Sequence, residues 1–289
     1  LGPETGPDAA RHDDTIFIAC HKLLYGVNID KDKNILVTLP SIGVINFCPE
    51  MKIRLFTIPN LLTLANLLCG AVATVSALAW GSLTLAFALI VLAAVFDFFD
   101  GFVARLLHQD SPIGLQLDSL ADDISFGLAP AAVMYALYGA MPGYWLPDGA
   151  VALVVFLYAA FGALRLARFN IDDTQRSEFL GLPIPAAAML CASLGLLVER
   201  YGMVFSRESL VLVALGAAWL MVSDLRMFAL KFHGFGWAGN ELRYTFLAVS
   251  AVLLVALGGR AIPLIVVIYV LISAVKHFAS PATDCRKEK

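Results

Sequence analysis

The chain has 289 residues, 60% of them hydrophobic and 15% charged, with a mean hydropathy of +0.80. Soluble domains carry about 25% charged residues, so an ordinary water-soluble fold is excluded and an all-α polytopic membrane bundle is expected. The formal net charge of −3 leaves no basic excess with which to hold nucleic acid.

Residues 1–50 contain Pro, Gly, charges and short apolar runs, but no membrane-length span and no signal-peptide pattern. Met51 is the first methionine, and Met51-Lys52-Ile53-Arg54 ahead of an apolar run reads as a natural start with two basic anchors. Residues 1–50 are therefore expected to be an upstream extension or a poorly ordered tail, residues 51–280 the membrane domain, and residues 281–289 a basic cytoplasmic tail. A bilayer requires about 20 apolar residues per helix. Runs of that kind lie at 58–79, 83–105, 120–141, 149–168, 183–199, 208–223, 244–259 and 261–278, which predicts about eight transmembrane helices.

The first helix opens with Ile58-Pro59-Asn60-Leu61-Leu62-Thr63, where Pro suits a first helical turn. The second and third carry the most informative feature of the chain. Asp97, Asp100, Gly101 and Ala104 fall at i, i+3, i+4 and i+7, one stripe of a helix, while Asp118 and Asp122 fall at i, i+4 on another. The polar turn His108-Gln109-Asp110-Ser111-Pro112 joins them, with its Pro placed to start the next helix. An ionised Asp at membrane depth costs roughly 2.5 to 3.5 kcal/mol, so four persist together only where cations or water compensate them. Hard oxygen ligands without a nearby Cys or His pair favour Mg²⁺, Mn²⁺ or Ca²⁺ over zinc. Gly101 and Gly114 leave room for a ligand to approach the backbone. Asp123 projects about 100° away from Asp122 on an α-helix and is not expected to bind metal.

Further along, Leu164-Arg165-Leu166-Ala167-Arg168-Phe169-Asn170 ends the fourth helix and Gly181-Leu182-Pro183-Ile184-Pro185-Ala186 opens the fifth. Arg165 and Arg168 stand three apart, an arginine fork suited to a carboxylate or a phosphate; the plainer reading is membrane anchoring. The interval 231–243 separates a six-helix core from two appended helices. Cys20, Cys48, Cys69, Cys191 and Cys285 are scattered and form no disulfide framework or metal motif.

Charge placement orients the body. With the first helix starting in the cytoplasm, Lys52, Arg54, Arg105, Arg165, Arg168, Arg176, Arg226, Lys231, Arg243, Lys276, Arg286, Lys287 and Lys289 are cytoplasmic, against Arg200, Arg207 and Arg260 on the other side. That bias predicts both ends of the body inside and the Asp motif open to the cytoplasm.

Written out, the motif is Asp97-x2-Asp100-Gly101-x2-Ala104-Arg105-x8-Gly114-x3-Asp118-x3-Asp122. It resembles, at all eight defining positions, the signature of the CDP-alcohol phosphotransferase family of integral membrane enzymes. The resemblance implies that an alcohol displaces CMP from a CDP-linked lipid with two divalent cations held by Asp97, Asp100, Asp118 and Asp122, and that Asp122 is also the catalytic base. It further implies that Asn60, Thr63, Gly101, Ala104, Arg105 and Gly114 bind the nucleotide and its phosphates, and that the enzyme is a homodimer. The segments at Arg165–Asn170 and Gly181–Ala186, with Asn66-Leu67-Leu68-Cys69-Gly70, are similar to the membrane-type phosphatidylserine synthase branch of that family. This implies CDP-diacylglycerol and L-serine as substrates, with Arg165 and Arg168 at the acceptor, in the cytoplasmic membrane. Glycerol 3-phosphate, the acceptor in phosphatidylglycerophosphate synthesis, would suit the same arginines. A divalent-cation transporter is the competing class, but a transport path has no use for the Asp-Gly-x2-Ala-Arg constellation, and no pair of broken helices marks a transporter repeat.

Removing residues 1–50 is expected to leave the activity of the membrane domain intact. Normal insertion with lost activity would contradict that division of the chain.

Overall fold

A computed structural model describes residues 56–109, 111–147, 149–171, 180–228 and 240–278 with their side chains, and residues 27–29, 35–39, 43–47, 179 and 279 as backbone. Met51–Arg54, Asp110, Arg176, Lys231, most of the interval 231–243, the tail 281–289 and Cys20, Cys48 and Cys285 lie outside the described residues. The chain divides into two compact units, Leu1–Arg54 and Leu55–Lys289.

In the first unit, β1 (Val27–Ile29), β2 (Ile35–Leu39) and β3 (Gly43–Phe47) form an antiparallel meander. Val37 sits opposite both Val27 and Ile45. These β-branched runs, too short to span a membrane, pair as strands.

Among its described residues the second unit is helical apart from turns and one two-residue ladder. Its helix starts are set by local chemistry. Thr57 accepts a hydrogen bond from the Asn60 N–H at 3.4 Å to open α1 (Ile58–Val75), with Pro59 in the first turn. A π-turn at Ser76–Trp80 extends α1 to Gly81, whose φ of 67° is left-handed. Ser82 caps α2 (Leu83–Leu107), and Glu199 takes the Thr84 N–H at 2.6 Å. The chain then turns through His108, at φ 50°, and Ser111 caps α3 (Pro112–Asp122) by accepting from the Gly114 N–H at 3.1 Å. A π-turn over Asp123–Leu128 joins α3 to α4 (Ala129–Ala140). This helical run thus starts at Pro112, where the turn placed it, although its apolar part begins only near 120. A 3₁₀ stretch, Ala150–Phe156, leads into α5 (Leu157–Ile171). There follow β4 (Phe179–Leu180), α6 (Ile184–Tyr201), α7 (Arg207–Val222) and β5 (Arg226–Met227), with β4 and β5 antiparallel. Helices α8 (Glu241–Leu257) and α9 (Ala261–Ala279) end the described chain.

Six helical runs are long and apolar enough to cross a membrane, the last being Glu241–Phe278. That last run is a hairpin. A straight helix would set Phe246 and Tyr269 about 35 Å apart at 1.5 Å per residue, yet their ring centroids are 5.8 Å apart. The reversal occurs at Gly258, with φ 58°, and Gly259. Helix α7, at 16 residues, falls short of the usual span. Contacts between turns then sort into two ends. At one end Ser76 donates to the Ser82 carbonyl at 2.8 Å, Arg207 to the Tyr138 carbonyl at 3.2 Å, and the Gly259 N–H to the Tyr201 hydroxyl at 3.2 Å. At the other lie the α2–α3 turn, the Arg168–Asp224 ion pair at 2.7 Å, and the Arg226 N–H donating to His277 Nδ1 at 3.4 Å. The turns among the described residues thus fall into two groups, with the α2–α3 turn of the Asp motif in the second. Among the described residues that side carries Arg105, Arg165, Arg168, Arg226, Arg243 and Lys276, and the other Arg200, Arg207 and Arg260.

Small residues allow these helices to approach. Ala73, Ala77, Ala86 and Ala93 line the α1–α2 seam, and Ala129, Ala131, Ala132, Ala187, Ala188 and Ala192 fill the space around α4 and α6; all are buried. The tightest point for the site is Gly70, where an added Cβ would fall 2.5 Å from the Ser125 Cα and closer still to the Ser125 hydroxyl. Gly70→Ala is expected to push α1 from the π-turn and destabilise the protein by about 1–3 kcal/mol, measured as a lowered unfolding temperature in detergent. An unchanged transition would contradict this packing.

Candidate active site

The α2 stripe presents Asp97, Asp100, Gly101, Ala104 and Arg105, and α3 presents Gly114, Asp118 and Asp122. The short capped turn between the helices fixes how the two stripes meet. Asp97, Asp100 and Asp118 each offer a carboxylate oxygen lying within 4.8 Å of the others. Asp122 sits one turn beyond Asp118, buried and within hydrogen-bond reach of Asp97. All four predicted carboxylates are thus brought together, three at one point and the fourth beside it.

Helix α1 orients them. Thr63 donates to Asp100 Oδ2 at 2.6 Å, and the Asn66 Nδ2 group donates to Asp122 Oδ1 at 3.2 Å. Asn60, Thr63 and Asn66 are buried and recur every three residues on a helix otherwise apolar. Ser125, in the π-turn, donates to the Asn66 carbonyl at 2.9 Å. Asn66 and Ser125 had not been singled out as site residues, though the polar stripe at positions 60, 63 and 66 was a readable signal.

Does this set fit divalent cations? Asp118 Oδ1 is buried and has no hydrogen-bond partner. Crowded carboxylates with an orphaned oxygen are what hard oxygen-ligated cations would complete, so the residues fit. Beside them lies a cavity of about 600 Å³, lined by Pro59, Asn60, Thr63, Asp100, Gly101, Ala104, Arg105, Gln109, Ser111, Pro112, Gly114, Leu115 and Asp118. Its volume suits a nucleotide-sized ligand. Both glycines have a reason. A Cβ on Gly101 would stand in the cavity, 3.8 Å from Arg105 Nη1, and one on Gly114 would reach 3.1 Å from Ser111 Oγ and 3.3 Å from Asn60 Oδ1. Gln109, Ser111 and Leu115 are lining residues that sequence reasoning missed.

The two predicted acceptor arginines part company. Arg165 is buried, with Asp122 within electrostatic reach. Arg168 is partly exposed; its guanidinium donates to Asp224 Oδ1 at 2.7 Å and to the Val222 carbonyl at 3.3 Å. Arg168 thus ties α5 to the end of α7, while Arg165 points its charge toward Asp122. Asp123 faces away from α2, against Gly127 and Gly162.

Comparison with known sequences places this geometry. The sequence model of the CDP-alcohol phosphatidyltransferase family matches residues 56–224. Similar proteins include the CDP-diacylglycerol–serine O-phosphatidyltransferase of Helicobacter pylori, 38% identical over 179 residues, 60% of this chain and 72% of that protein. The Bacillus subtilis protein of the same name is 35% identical over 61% of this chain and 92% of its own length. That of Methanocaldococcus jannaschii is 34% identical over 60% and 74%.

The Thr63–Asp100 bond gives a direct test of how the carboxylates are oriented. Thr63→Val keeps the shape but removes the donor, and Mn²⁺ affinity is expected to fall about 10- to 100-fold, measured by calorimetric titration. Unchanged affinity would show that Asp100 needs no support from α1.

Proposed function

The chain belongs to the CDP-alcohol phosphatidyltransferase family, and from that premise we propose that it transfers a phosphatidyl group from CDP-diacylglycerol to the hydroxyl of L-serine, giving phosphatidylserine and CMP. The observation that carries the reading is the meeting of three carboxylates within 4.8 Å at the wall of a nucleotide-sized cavity. In this reading Asp97, Asp100, Asp118 and Asp122 hold two divalent cations, Mg²⁺ or Mn²⁺. Bound there, they would neutralise the diphosphate and the charge arising on departing CMP.

The protein's own groups do the rest. Asn60, Thr63, Ala104 and Arg105 line the cavity with Gly101 and Gly114, where the absent side chains leave space for the CDP moiety. Arg105, at its rim, faces the phosphates. Arg165 receives the serine carboxylate. Asp122 accepts the proton of the serine hydroxyl while that oxygen bonds to the phosphorus carrying diacylglycerol and the bond from that phosphorus to CMP breaks. Asn66 holds the Asp122 carboxylate in place. The excess of Arg and Lys on the motif side supports an active site facing the cytoplasm from the cytoplasmic membrane, where a soluble nucleotide can leave. Likeness to the family supports a homodimer. Residues 55–279 are the catalytic unit, and the N-terminal unit has no part in the chemistry.

Purified protein given CDP-diacylglycerol, Mg²⁺ or Mn²⁺ and, separately, serine, glycerol 3-phosphate or inositol should release CMP fastest with serine. Faster release with glycerol 3-phosphate would reassign the enzyme to phosphatidylglycerophosphate synthesis. Within the cluster, Asp97→Asn and Asp118→Asn should raise the metal concentration needed for turnover. Asp122→Asn should lower kcat about 10²- to 10⁴-fold with no recovery in excess metal. Recovery of the Asp122 variant in excess metal would remove the base from this carboxylate.

A further inference from the structure

Beside the carboxylate cluster a buried Arg165 and a half-buried Asp123 carry opposite charges without bonding to each other. Arg165 is only 9% exposed, and its Nε has no hydrogen-bond partner. Asp123 has a buried Oδ1 that is likewise without a partner. Among the described residues the one ion pair within 4.0 Å is Arg168–Asp224, so Asp123 and Arg165 stand further apart than a salt bridge.

They nevertheless share one seam. A Cβ built on Gly162 would lie 3.6 Å from Asp123 Oδ1, and Gly162 is one turn before Arg165 on α5, on neighbouring positions of the same face. The fully buried Tyr158 has both Asp123 and Arg165 within electrostatic reach, and Arg165 has Asp122. Asp123 stands at the start of the π-turn, with its carboxylate toward Gly162 of α5. Oppositely charged groups at low dielectric attract strongly, and leaving each uncompensated is costly. Two unpartnered groups of opposite charge on one seam beside Asp122 suit a ligand that carries both charges.

We propose that Asp123 and Arg165 form a zwitterion slot, in which Asp123 takes the ammonium of the acceptor, Arg165 its carboxylate, and the hydroxyl between them is directed to Asp122. The slot rests on the serine reading above and deepens it. It makes the acceptor class an α-amino acid, and it gives a reason for rejecting polyols and phosphate esters, which have no cation for Asp123. Asp123 then binds substrate rather than metal, and its replacement is not silent.

The experiment compares serine with 3-hydroxypropionate, which keeps the hydroxyl and the carboxylate but lacks the ammonium, by CMP release from CDP-diacylglycerol. The wild-type enzyme should prefer serine by kcat/KM at least about tenfold. Asp123→Asn should raise the KM for serine about 10- to 100-fold, the usual worth of a hydrogen bond to a charged group. The KM for CDP-diacylglycerol should stay put, so that the preference for serine over 3-hydroxypropionate collapses. Asp123→Glu, which restores the charge, should recover part of it. A variant that loses both acceptors equally, or that keeps the wild-type preference, overturns the slot while leaving serine as the acceptor. Should Asp123→Asn fail to fold, the wild-type ratio decides: a preference under tenfold overturns the slot. Wild-type enzyme that ignores serine overturns the serine reading itself, and the slot with it.

Discussion

Four carboxylates, Asp97 and Asp100 on α2 with Asp118 and Asp122 on α3, crowd together and repel one another, and most of what surrounds them serves to hold that arrangement. Charge of one sign in one place is unfavourable in a low-dielectric interior and becomes useful only when an opposite charge arrives. The buried, unpartnered Asp118 Oδ1 marks where that compensation is owed. Thr63 and Asn66 each satisfy one oxygen of a neighbouring carboxylate without adding positive charge, leaving the negative potential intact for cations.

Helix packing makes the crowding geometrically possible. Helix α1 can carry Thr63 and Asn66 against both carboxylate helices because Gly70 lets it touch the backbone of the π-turn at Ser125. The α2–α3 turn is pinned by a left-handed His108 and the Ser111 cap, which sets the relation of the two Asp stripes. On the far side of the bundle Glu199 caps α2, and Glu208 accepts three successive N–H groups, from Tyr144, Trp145 and Leu146 at 2.8, 2.9 and 3.1 Å. Those bonds lock the turns remote from the site, so the motif side rests on a rigid frame.

Much of this could be read from the sequence, because both signals involved are periodic. Helical spacing placed Asp97, Asp100, Asp118 and Asp122 together, and apolar length foreshadowed the helical bundle, including the two members of the α8–α9 hairpin. What escaped depends on neighbours in space. Gln109 and Ser111 line the cavity from a turn that has no period. Arg168 looked equivalent to Arg165, but only the folded chain reveals that Asp224, more than fifty residues on, holds it. Asp123 is expected off the metal-facing stripe and does turn from it, but only the folded chain reveals Gly127 and Gly162 against it. The β1–β3 meander hinges on pairing between strands, which no single short apolar run announces.

The account stands or falls on whether the carboxylates gather a pair of cations. The most direct measurement is electron paramagnetic resonance of Mn²⁺ added to the purified protein in bilayer discs with CDP-diacylglycerol. Two ions per chain, close enough for their spins to couple, and a coupled signal that vanishes when Asp97 and Asp118 are both replaced by Asn, are the predicted result. A single isolated ion, or a coupled pair that survives loss of both carboxylates, would contradict it.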